Sequence, residues 1–168
     1  MIQSDPMQPL RMAAIREQLG NTVSSDQLIA AALGALLAGV ESSALAQLAA
    51  LGHSEESEAH TLFNRVVEEF ALAPSLPTEP TAARWELVRW WCQLIVEEKL
   101  PPQVGGRLIW FEGWNKLKYP EALQPLVGMV SEWDDWTEEW DMPREMYSLR
   151  IIQAARELLD QPWPPESL

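Results

Sequence analysis

Along most of the chain, apolar residues recur at three- and four-residue intervals, and no stretch alternates with period two long enough to make a strand. The pattern predicts an all-α fold of seven or eight helices. A first helix is expected over about residues 10–19, stopped by Gly20-Asn21. A second opens at Ser24-Ser25-Asp26, with Gln27 three places after Ser24 as in a capping box. Ile29, Leu33, Leu36, Leu37 and Val40 follow at helical spacing within the apolar run 28–40, so this reads as a buried core helix. A third begins at Ser42 or Ser43, carries Leu45, Leu48 and Leu51, and ends at Gly52. The fourth starts after Ser54, with Glu55, Glu56 and Glu58 in its first turn, where the helix dipole favours anions. It sets Ala59, Leu62, Phe63, Val66, Val67 and Phe70 on one face.

Prolines at 74, 77 and 80 then interrupt the helical pattern. Beyond them, Thr81 is expected to cap a helix that is apolar almost all round: Trp85, Leu87, Val88, Trp90, Trp91, Leu94, Ile95 and Val96. Such a helix belongs at the centre of its surroundings. Pro101 or Pro102 opens another helix, which Gly105-Gly106 weakens unless those glycines admit close packing against a bulky tryptophan. Pro120 and Pro125 mark further helix starts, and a last helix covers about residues 142–160. The expected organisation is one helical domain over 1–168. Within it an Ala/Leu-rich part, 8–73, packs on a Trp-rich part, 81–160, across the proline-rich linker 74–80.

Charge narrows the partners. The net charge is −13, with three bases against ten acids up to Pro80 and nine against fifteen beyond it. A polyanion such as nucleic acid is held by Lys and Arg, so this balance argues against DNA or RNA, and likewise against anionic membrane surfaces. The helices of residues 24–72 resemble helix-turn-helix packing only in outline, with Arg65 as the sole base there. The longest apolar run, 28–40, is shorter than the roughly 20 residues of a membrane span. The N-terminus has no basic segment followed by an apolar one, so no signal peptide is expected and the location reads as cytoplasmic. Any partner is expected to be a basic or neutral protein, with a homodimer left open.

The densest chemistry is "SEWDDWTEEWD" at 131–141. Read as one helix from Pro125, it extends an apolar stripe of Leu126, Met129, Val130, Trp133, Trp136 and Trp140, with the acids as its wet back. Three acids at a helix C-terminus oppose the dipole, however, and Thr137 is a good N-cap. A break between Asp135 and Thr137 is therefore the competing reading, and it would leave Trp136 or Trp140 partly exposed. In that case Glu132, Asp134, Asp135, Glu138, Glu139 and Asp141 would attract a basic partner while Trp136 and Trp140 supplied contact area. Sugar binding by stacked tryptophans and paired carboxylates is a lesser alternative.

Other residues raise weaker possibilities. Arg107, Trp110, Glu112 and Trp114 are the alternative ligand pocket, of an enzyme or small-molecule binder, although Glu112 also reads as a structural partner for an arginine. His53 and His60 with Glu56 between them resemble metal ligands only in part, since a third firm ligand is missing. Cys92, the single cysteine, lies in the most apolar helix, where a thiol is buried and inert. No nucleophile-base set stands out, so no catalytic residue, no metal and no cofactor is expected. The function this supports is an acidic, non-catalytic protein-interaction module of adaptor or immunity type.

Overall fold

A computed structural model describes residues 5–52 and 55–165. Among them are eight α-helices and no strand, so the fold is all-α. The chain divides into two compact units, 1–74 and 75–168, and the division falls inside the proline-rich segment.

The first unit holds α1 (Gln8–Gln18), α2 (Ser25–Leu37), α3 (Ser43–Ala49) and α4 (Glu56–Phe70). Local chemistry sets their ends. Gly20, at φ +87°, lets Asn21 N–H reach the Arg16 carbonyl and Gly20 N–H the Glu17 carbonyl, closing α1 with both bonds of a Schellman turn. Gly39, at φ +98°, closes α2 in the same way. The Ser24 and Ser42 hydroxyls accept from Gln27 N–H and Leu45 N–H, capping α2 and α3. The core gathers Leu10, Leu28, Ala32, Leu45, Leu48, Phe63 and Val66. The face of α2 differs from expectation: it buries Leu28, Ala32 and Ala35, while Leu33 and Leu37 are exposed. With apolar residues all round α2, spacing alone cannot choose a face. The small Ala32 and Ala35 win because they let neighbouring helices approach closely.

The second unit holds α5 (Pro80–Val96), α6 (Pro102–Leu108), a π-helical turn (Ile109–Trp114), a 3-10 turn (Glu121–Leu123), α7 (Gln124–Asp135) and α8 (Arg144–Leu159). The residue that caps α5 is Glu79, not Thr81: its carboxylate accepts from Thr81 N–H at 3.0 Å and Ala82 N–H at 2.6 Å. Pro80 takes the first helical position, where a missing N–H costs nothing. Those backbone bonds hold the Glu79 carboxyl below the usual range. As the pattern implied, α5 is central to its unit, packing on α6, α8 and the π turn and burying Trp85, Trp90, Trp91 and Cys92.

The glycines of α6 do admit close packing, but against aliphatic side chains rather than a tryptophan. A Cβ on Gly105 would lie 2.6 Å from Ile95 Cγ1, and one on Gly106 would collide with Val130. A Cβ on Gly113 would lie 2.7 Å from Val88 Cγ2. These contacts draw α6 and the π turn onto α5 and α7, fixing the platform beneath the end of α7.

Candidate interaction site

The Trp-acid stretch is broken between Asp135 and Thr137, as the second reading of the sequence has it. Helix α7 ends at Asp135, and Trp136 turns into extended backbone at ψ 138°. Trp140 N–H then bonds the Thr137 carbonyl at 3.1 Å, closing a single turn before α8. The stripe of α7 therefore runs through Leu126, Val127 and Val130 to the half-buried Trp133 and stops there.

Two arginines compensate the acidic end of this helix. Arg144 donates from Nε to the Trp133 carbonyl at 3.1 Å, and its guanidinium lies 3.6 Å from the centre of the Trp133 ring. It thus satisfies one of the carbonyls left open at a helix C-terminus and places a cation where the dipole favours one. Arg107 bonds the Asp134 carboxylate through Nη2 and, at 3.4 Å, through Nε, and its guanidinium lies 5.6 Å from the Trp133 ring centre.

The remaining tryptophans hold the turn in place. Trp136 is half-buried, and its indole N–H donates to the Met142 carbonyl at 2.8 Å. Trp140 packs edge-on against Tyr147 of α8, with ring centres 5.6 Å apart, and remains 36% exposed. All six acids, Glu132, Asp134, Asp135, Glu138, Glu139 and Asp141, are exposed. Only Asp134 has an ion-pair partner among the described residues. Five carboxylates without an ion-pair partner among the described residues thus share the ten-residue surface 132–141 with Trp140, the most exposed of its three indoles.

The residues of the alternative pocket go to different partners. Arg107 is held by Asp134, while Glu112 pairs with Arg84 at 3.5 Å, the structural role foreseen for it. Trp110 stacks on Phe111, with ring centres 4.8 Å apart, and Trp114 meets Tyr119 edge-on at 4.7 Å. A cleft of about 660 Å³ nearby is instead lined by Thr81, Trp85, Leu117, Tyr119, Pro120 and Pro165. Sequence reasoning missed it because its walls come from separate elements. One local signal, the left-handed pair Lys118 (φ 61°) and Tyr119 (φ 66°), is invisible without coordinates. Trp163 closes against the same region, donating from Nε1 to the Trp85 carbonyl at 3.2 Å.

In the first unit, His60 Nδ1 lies 2.9 Å from the Glu56 carbonyl, and Nε2 lies 3.2 Å from the Glu17 carboxylate. Glu56 thus meets His60 through its backbone rather than its carboxylate, and His53 lies outside the described residues. Among the described residues no three His, Cys, Asp or Glu side chains converge on a metal-sized site. Cys92 is buried, which pushes its thiol up to about 12. No helix among the described residues is long and apolar enough to cross a membrane. No protein-family model matches the chain, and comparison with curated proteins and with solved structures found none similar to it.

Proposed function

We propose that the protein is a small cytoplasmic, non-catalytic interaction module, of adaptor or immunity type, that presents the 132–141 surface to a more basic partner protein. The observation that carries this reading is the concentration of five unpaired carboxylates around an accessible Trp140. Exposed acids raise the encounter rate with a basic partner over roughly a Debye length, about 8 Å at physiological salt. Trp140 adds aromatic contact area of the kind that concentrates binding energy. Trp136 has a supporting part, because its N–H is engaged with the loop backbone and holds the turn in shape. The alternative of an enzyme or small-molecule binder around 107–114 has less behind it, since Arg107 and Glu112 are engaged with Asp134 and Arg84.

The test is affinity capture from the native cell with identification of what is bound, followed by kinetics on the recovered partner. Changing Glu132, Asp135, Glu138, Glu139 and Asp141 to amides is expected to slow association and flatten its salt dependence. Trp140→Ala is expected to speed dissociation. Recovery of the same partners, with unchanged kinetics, by a variant carrying all six changes would remove this surface from consideration.

A further inference from the structure

In the first unit, α2 carries a face that its own neighbours leave uncovered. At about 100° per residue, Leu33 and Leu37 fall on one side of Gly34, and Ala31 and Ala38 on the other. Leu37 is 80% exposed and Leu33 47%, so together they form an apolar ridge. On the opposite side α1 and α2 frame a groove of about 770 Å³, lined by Pro9, Met12, Ala31, Gly34 and Ala38 and by Asp5, whose carboxylate is paired with Arg11 at 2.7 Å. Arg16 lines it too, beside Val23 and Gln27 at the start of α2, because a short turn joins the two helices. From Gln27 to Val40 the chain has no charged residue, although the whole protein stands at −13.

We infer that this face pairs with the same face of a second copy of the chain, the two α2 helices lying antiparallel about a two-fold axis. Ridge and groove lie side by side on one surface, which is what an isologous contact requires: Leu33 and Leu37 of each copy enter the groove of the other. Two chains this acidic repel, so a copy can approach closely only where like charge is absent or compensated: the 27–40 span is uncharged, and Asp5 in the groove is paired with Arg11. The antiparallel register also carries Glu41, just past the end of one ridge, toward Arg16 at the far end of the other groove. Both are exposed, and neither has an ion-pair partner among the described residues. A helix of this length spans about 20 Å, and two neighbouring helices are about 20 Å wide, so the face covers roughly 400 Å². That is about half of what a standard interface buries per partner, the size of a weak, transient association.

Sedimentation equilibrium of the full chain, from micromolar to millimolar concentration, tests this. The mass is expected to rise from 19.0 kDa toward twice that value. Leu37→Glu is expected to keep the chain monomeric with an unchanged helical circular dichroism spectrum. Arg16→Glu and Glu41→Arg should each weaken the dimer about tenfold, and the double variant should restore it. A monomer throughout the range overturns the inference, even if another protein proves to bind at Leu37. So does a dimer indifferent to Leu37→Glu, or a double variant weaker than either single one.

Discussion

Replacing Trp91 by two different residues separates the packing of the second unit from its hydrogen bonding. Trp91 lies on α5 with none of its surface exposed, and its indole Nε1 has no hydrogen-bond partner among the described residues. Trp91→Ala removes nearly the whole side chain and should cost about 3–5 kcal/mol, the transfer and cavity terms together. Trp91→Phe keeps most of the ring. The void it leaves, about 40 Å³, costs roughly 1 kcal/mol at about 24 cal/mol per Å³. Against this, it deletes a buried donor whose unpaired state carries a penalty of about 1–3 kcal/mol. The net change for Phe should therefore lie between about zero and a gain of about 2 kcal/mol, several kcal/mol away from Ala. Urea unfolding followed by tryptophan fluorescence is the assay, since all nine tryptophans lie between residues 85 and 163 and report on the second unit alone. With a slope of about 2 kcal/mol per M, Ala should lower the midpoint by about 2 M, and Phe should leave it unchanged or raise it by up to about 1 M. A Phe variant as unstable as the Ala variant would show that the indole N–H is satisfied after all and refute the argument. An Ala variant losing less than about 1 kcal/mol would remove Trp91 from the core.

Two further tests bear on packing and ionisation. Gly113→Ala should cost about 1–3 kcal/mol, because its Cβ would press on Val88, whereas Gly128→Ala in the open middle of α7 should gain roughly 0.5–1 kcal/mol; paired denaturation curves check the contrast in sign. Burial raises the Cys92 thiol from 9.0 in the unfolded chain to about 12, so above pH 9 the unfolded state sheds a proton that the folded state keeps. The stability this thiol contributes is complete below pH 9 and is lost between about 9 and 12, at roughly 1.4 kcal/mol per pH unit. The difference in unfolding free energy between wild type and Cys92→Ala, measured across that range, should show this slope, and a flat difference would contradict the burial.

Much of the fold is legible in the sequence because helix signals are local. Spacing, serine caps and glycine stops act within a few residues, so the end of α1 and the starts of α2 and α3 follow from Gly20, Ser24 and Ser42. A break between Asp135 and Thr137 was also legible, and α7 does stop at Asp135. Its last turn still carries Glu132, Asp134 and Asp135, however, and the arginines that offset them, Arg107 and Arg144, come from other elements. Choices among equal local options required the third dimension. Helix α2 is apolar on every side, and only close packing of Ala32 and Ala35 left Leu33 and Leu37 exposed. The partners of Arg107, Glu112 and His60 lie 27, 28 and 43 positions away in the chain, on Asp134, Arg84 and Glu17, distances over which no spacing rule operates. Sequence by itself determined the helices, most of their ends and the acidity of the 132–141 surface. Only the tertiary structure decided which faces were covered, because that depends on which side chains from distant elements fit together at contact distance.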